Sequence, residues 1–204
     1  MKLVFATNNL GKLKEMRAIL EGLDIDILSV KDIGVILDVV EDGATFEKNA
    51  LKKAWSIVGK SKEWTIADDS GICIKALDNA PGVFSARWAG ENASDEEIVR
   101  YTLDKIEDVP EEKREAWFET AVVLVAPDEK HWVFKGKIEG RVAEVSRGRP
   151  RLKLPYDLIF IPKGHNRTFA EMPDEKKNSL SHRGLALKQL KEFLGKSDEL
   201  RTSV

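Results

Sequence analysis

Three short stretches carry residues whose types and spacing could do chemistry. Thr7-Asn8-Asn9-Leu10-Gly11-Lys12 ends an apolar run and opens a helical pattern. The first turn of a helix presents unpaired N–H groups and a partial positive charge, so a phosphate would suit it, with Lys12 adding a full charge. A plain β–α turn is the alternative, and the Walker A spacing is absent. Glu41-Asp42 and Asp68-Asp69 supply carboxylates, the hard oxygen donors that Mg²⁺ takes a few at a time, and one of them could position or deprotonate water. Acidic pairs are also ordinary turn residues. Lys176 to Arg183 clusters Lys177, His182 and Arg183 beside hydroxyls, a set that fits a phosphate, a base carbonyl or a solvated helix start.

These residues must be held by an α/β framework. Lys2 to Thr7 reads as a buried strand, followed by a turn at Asn8 to Gly11. A helix with Leu13, Met16, Ile19 and Leu20 inward runs from Lys12 to a stop at Gly22, and Ile25 to Val30 is a second strand. Thr45 caps a helix to about Val58, with Phe46, Ala50, Ala54 and Ile57 inward. Residues 65–68 and 72–77 read as two strands around Asp69-Ser70-Gly71. Ser94 to Glu97 resembles a capping box opening a helix towards Ile106. Residues 116–126 and 131–145 are strands joined by a turn at Pro127 to Lys130, and Tyr156 to Pro162 is another. The last helix, from about Ser181 to Leu194, turns Leu185, Leu187, Leu190 and Leu194 inward. Cys73 falls in an apolar strand pattern and reads as a core residue. His131 and His165 have no partners at metal-ligand spacing.

Composition narrows the classes. The 204 residues are 42% hydrophobic with a formal net charge of −2, which suits one globular α/β domain and argues against a protein held to nucleic acid by its phosphates. The lone cysteine excludes an intrachain disulfide, and no run suits a signal peptide or a membrane span, so the expectation is a cytoplasmic protein without membrane contact. Arg147-Gly148-Arg149-Pro150 looks like a minor-groove hook, but it lies between predicted strands in a near-neutral chain.

Taken in order, the motifs resemble the inosine/xanthosine triphosphate pyrophosphatase family. The T-x-N-x-x-K signature stands as Thr7, Asn9 and Lys12. Glu41, Gly43, Thr45, Phe46, Asn49, Ala50, Lys53 and Ala54 match a second stretch. Ala67 to Gly71, Pro81 to Gly90, Thr168 to Met172, and Lys177, Asn178, Ser181, His182 and Arg183 complete the series. The resemblance implies an α/β fold with an elongated, twisted mixed sheet, flanked by helices forming two lobes around a nucleotide cleft. It implies hydrolysis of ITP, dITP and XTP to the monophosphate and pyrophosphate, with Mg²⁺, usually in a homodimer. By the same resemblance Asp69 is the catalytic carboxylate and, with Glu41, a metal ligand. Thr7, Asn8, Asn9, Leu10, Gly11, Lys12, Lys53 and Ser70 hold the triphosphate, and Leu154, Pro155, Tyr156, Asp157, Lys177, His182 and Arg183 reach the base.

The chain departs from the family at residues 147–158. A glycine-rich segment, roughly R-G-x-G-G-F-G-Y-D-P-I-F, is replaced by Arg149 to Pro155, Leu154 stands where a phenylalanine would cover the base, and Leu158 replaces a proline. Losing glycines removes backbone options at positive φ, so this loop is expected to follow another path. Two outcomes follow: a repacked loop with altered base selectivity, or a weakened nucleotide-binding relative.

Overall fold

A computed structural model describes residues 1–196. The elements are β1 (Lys2–Phe5), α1 (Leu10–Leu20), β2 (Asp26–Ser29), α2 (Phe46–Ser61), β3 (Thr65–Ile74), α3 (Asp95–Lys105), β4 (Glu115–Val125), β5 (His131–Val142), β6 (Phe160–Pro162), α4 (Asp174–Leu180) and α5 (His182–Lys196). The six strands form one mixed sheet in the order β2-β1-β3-β4-β5-β6. β1 is parallel to β2, with Leu3 opposite Ile27, and also to β3, with Phe5 opposite Ile66, whereas β5 and β6 are antiparallel. Parallel neighbours need a crossover, and α1 and α2 supply it.

The chain forms two compact units. Among the described residues, the first comprises Met1–Asp69, Thr120–Gly136 and residues 183–196; the second comprises Ser70–Glu119 and Lys137–His182. β3, β4 and β5 each contribute residues to both. In the first unit, Leu3, Phe5 and Ile66 of the strands bury against Met16 of α1 and Leu187 and Leu190 of α5. A second cluster packs Val4, Ala67 and Val123 against Ala50, Ala54 and Ile57 of α2. In the second unit, Ile72, Ile74, Phe118 and Phe160 pack with Ile98 of α3 and Phe169.

Local chemistry sets the helix starts. Asn9 caps α1 by accepting the Lys12 N–H at 3.1 Å, so the helix begins at Leu10, inside the expected turn. Thr45 caps α2, and Ser94 and Glu97 close the expected capping box on α3. The largest difference from the sequence reading is β3. Asp69-Ser70-Gly71 is not a turn between two strands but the middle of one ten-residue strand. Its near-continuous burial masks the alternation that periodicity looks for. The strand then ends at Ile74, and Lys75–Leu77 forms a 3-10 turn.

Two later elements are also shorter or divided. Pro155–Leu158 is a 3-10 turn, leaving only Phe160–Pro162 as strand. α5 starts at His182 after the separate α4, and it buries Ala186, Leu187, Leu190 and Leu194 while Leu185 is exposed. Cys73 is buried, as expected, and burial pushes its thiol up to about 11. No helix among the described residues is long and apolar enough to cross a membrane.

Candidate functional site

The first unit concentrates buried charge around Asp68 and Asp69. Asp68 is 1% exposed, and its Oδ2 accepts both Lys12 Nζ at 3.0 Å and Arg183 Nε at 3.1 Å. Arg183 also pairs with Glu15 of α1, itself buried. The second oxygen of Asp68, Oδ1, is buried and has no hydrogen-bond partner among the described residues. Burial pushes the Asp68 carboxyl up, but Lys12, Arg183 and Lys53 together outweigh it and hold it well below the usual carboxylate range. Burial lowers the Lys12 ammonium, with Asp68 opposing and Lys53 and Arg183 adding to the fall.

Asp69 is built differently. Asn49 donates its amide to Oδ2 at 3.0 Å, and Lys53 Nζ lies 3.5 Å from Oδ1 and 3.1 Å from Glu41 Oε2. Burial raises the Asp69 carboxyl, and the like charge of Glu41 adds to this against Lys53 and Lys12. Burial also lowers Lys53, but Asp69, Glu41 and Asp68 more than reverse it, and its ammonium is held above the ordinary range. Asn49 and Lys53 are one turn apart on the buried face of α2, so one helix places a neutral donor and a cation on one carboxylate. The Asn49 Oδ1 accepts the Gly43 N–H at 2.7 Å, tying the Glu41 loop to the same helix. A Cβ on Gly43 would sit 2.5 Å from that oxygen, so only glycine allows the approach.

The Thr7 to Lys12 turn is ordered from within. Thr7 Oγ1 accepts the Asn9 N–H at 3.1 Å, and Asn8 donates to the Leu37 carbonyl at 3.3 Å. Leu10 is exposed and Gly11 buried. Asn9 therefore spends its carbonyl oxygen on the helix cap, a role distinct from the phosphate donor expected of it.

Other expected residues lie in the second unit. Ser70 follows Asp69 in β3. Lys177 is 1% exposed and its Nζ donates to Asp157 Oδ2 at 2.5 Å, both charges being buried. His182 is stacked on Phe118, rings 4.5 Å apart and 7° from parallel. The Tyr156 hydroxyl donates to the Ser85 carbonyl at 2.9 Å, and burial pushes it well above the usual phenol range. Leu154 and Pro155 are half-buried at the start of the 3-10 turn. Arg183, also expected at the base, pairs through its guanidinium with Asp68 and Glu15 within the first unit.

The basic run is folded into the second unit rather than left as a tail. Arg147 donates to the Asn166 carbonyl at 3.2 Å, and the Arg149 N–H donates to the Ala170 carbonyl at 3.2 Å. Gly148, at φ +92°, lies so close to residues 170–171 that a Cβ would come within 2.5 Å of the Ala170 carbonyl carbon. This removes the free basic segment that a minor-groove hook needs. Within the replaced residues 149–155, Lys153 has φ +58°, so this part of the loop enters the left-handed region without a glycine.

Sequence reasoning assigned no role to two members of the first-unit cluster, Glu15 and Asn49, and named Asp68 only as one of a candidate acidic pair. Glu15 lies one turn after Lys12, and Asn49 one turn before Lys53, so helical spacing from an expected residue was the available signal. Among the described residues no group of three or more His, Cys, Asp and Glu side chains is gathered to hold a metal alone. The donors present still fit a hard divalent ion that keeps most of its shell as water and phosphate oxygen. Glu41 and Asp69 share one lysine, and the adjacent Asp68 has an oxygen without a partner.

Comparison with known proteins agrees with this architecture. The chain is 45% identical over 194 residues to the dITP/XTP pyrophosphatase of Geobacter sulfurreducens, covering 95% of this chain and 96% of the relative. It is 45% identical over 193 residues to the protein of the same name from Porphyromonas gingivalis, covering 95% and 97%. The solved structure of a HAM1 protein from Coxiella burnetii superposes with a TM-score of 0.86 at 37% identity, covering 97% of this chain and all of that one. The model of the Ham1 family matches residues 3–193, a span that takes in both the buried Asp68–Asp69 cluster and the altered loop, and the chain belongs to that family.

Proposed function

We propose that this chain hydrolyses the non-standard purine nucleoside triphosphates ITP, dITP and XTP to the monophosphate and pyrophosphate. The observation that carries the reading is the first-unit cluster, in which Lys12, Lys53 and Arg183 surround two buried aspartates and one oxygen of Asp68 has no partner. Buried polar atoms without partners are rare and costly, and a bound ion, water or substrate group would satisfy this one. The names of the relatives supply the substrate class.

Asp69 is the carboxylate for the attacking water. Asn49 and Lys53 fix its two oxygens, and burial holds its carboxyl above the ordinary range. The α1 N-terminus, Lys12, Lys53 and Ser70 bind phosphate oxygens. Asp69 and Glu41 would hold Mg²⁺, which when bound offsets triphosphate charge and polarises the anhydride. Lys177 and His182 supply donors for the 6-oxo group that distinguishes hypoxanthine and xanthine from adenine. Arg183 acts on the phosphate side by holding Asp68. A homodimer working on the cytoplasmic nucleotide pool completes the proposal.

Pyrophosphate release from ITP, dITP, XTP, GTP and ATP with Mg²⁺ tests it. Release from the first three should exceed release from GTP and ATP, and Asp69→Asn should reduce kcat by about 100-fold or more. Equal rates on all five would refute the selectivity, and no release from any would refute the enzyme.

A further inference from the structure

The loop that departs from the family pattern contains one arginine that behaves unlike its neighbours. Arg149 and Lys153 are exposed, whereas the Arg151 side chain is only 17% exposed. Its three guanidinium nitrogens all have partners within the second unit. Nη1 donates to the Phe169 carbonyl at 2.7 Å, Nη2 to the Met172 carbonyl at 2.6 Å, and Nε to Asp174 Oδ1 at 3.0 Å. Nη1 also lies 3.5 Å from Asp157 Oδ2, the oxygen that receives Lys177. A planar fork reaches two carbonyls and a carboxylate from three separate nitrogens, whereas a lysine's three donors all leave one atom and cannot span acceptors spaced to fit the fork.

We propose that Arg151 is the positioning residue of this chain's altered loop: its fork replaces the glycine-rich backbone path and holds Asp157, and through it Lys177, in place for the purine. Asp157 stands at the junction. It is 4% exposed and takes charge from Lys177 on one side and Arg151 on the other. The two carbonyls gripped by the same guanidinium belong to the turn at Phe169–Glu171 and the residue after it, just before α4, which carries Lys177. Removing Arg151 therefore loosens both the carboxylate that orients Lys177 and the entry to the helix that bears it. The inference rests on the reading of Lys177 as a base-binding donor, and it assigns Arg151 no contact with the reacting atoms.

The test compares Arg151→Gln, Arg151→Lys and the control Arg149→Gln, which removes the same charge from an exposed position two residues away. With ITP, Arg151→Gln should raise KM about tenfold or more and leave kcat within about threefold. Arg151→Lys should recover only part of that loss, and Arg149→Gln should match the parent protein. A full rescue by lysine, an equal effect from Arg149→Gln, or a fall in kcat without a rise in KM would overturn the proposal. Amide exchange gives a readout independent of turnover. In Arg151→Gln, residues 152–158 and 169–174 should exchange at least tenfold faster while β1 is unchanged, and unaltered exchange there would also overturn it. If the parent protein releases no pyrophosphate but the exchange prediction holds, the functional reading fails and with it the purine-positioning role, while the hold of Arg151 on Asp157 and the turn before α4 stands.

Discussion

Asp68 accepts two cations on one oxygen and has no partner on the other, so its charge balances the interior of the first unit. Asp68→Asn keeps the shape and removes the charge, leaving Lys12 and Arg183 buried without it, although Arg183 keeps Glu15 and Lys12 still feels Asp69. Breaking a buried pair from one side costs about 3–5 kcal/mol, and a loss of that size in denaturant unfolding is expected. The pH dependence has a definite sign. The folded carboxyl titrates below the ordinary 3.8, so the unfolded chain takes up the proton first as pH falls. The stabilisation is therefore fully present above about pH 5 and declines below 3.8. Between pH 5 and 3 the parent protein should lose stability more steeply than Asp68→Asn, and parallel slopes would refute the assignment. At this scale the sequence showed which residue types could bind phosphate and metal. It could not show which acid of the Asp68-Asp69 pair would be held ionised and which pushed up, because the difference comes from Lys12 and Arg183, 56 and 115 positions away in the chain.

Elements were legible where local chemistry decides them and obscure where burial does. The caps at Thr45 and Ser94 and the stripe of Ala50, Ala54 and Ile57 could be read directly, since side chain and backbone interact within one or two turns. β3 was misread because a strand covered on both faces shows no period-two signal, and Asp-Ser-Gly imitates a turn. The altered loop shows the converse error. Loss of glycine was taken to remove positive φ, yet Lys153 occupies the left-handed region at +58°, with its N–H donated to Asp95 Oδ2 at 3.0 Å. That conformation costs a residue with a Cβ roughly 1–2 kcal/mol, part of which glycine would give back as chain entropy. Lys153→Gly should therefore stabilise the protein by about 0.5–1 kcal/mol in denaturant unfolding. A loss instead would mean that contacts of the lysine side chain outweigh the backbone strain.

At the scale of the molecule, the two units have separate apolar clusters but are not separable lengths of chain. Each is assembled from distant segments, and the boundaries at Asp69/Ser70, Glu119/Thr120 and Gly136/Lys137 fall inside β3, β4 and β5. The sequence marks none of these three boundaries, because no linker, charge run or glycine tract lies at them. Excising one unit would cut three strands and expose the ladder edges of each. One cooperative unfolding transition is therefore expected, with calorimetric and van't Hoff enthalpies in agreement. Leu187→Ala, in the first unit's core, provides the sharper test. It should cost about 2–5 kcal/mol, and if unfolding is shared, slow-exchanging amides of Phe118 and Phe160 in the second unit should lose the same free energy as those of Val4 and Phe5. Loss confined to the first unit, or two resolved calorimetric peaks, would show that the strands transmit no cooperativity across these boundaries. The chain would then be two folding units threaded on common strands.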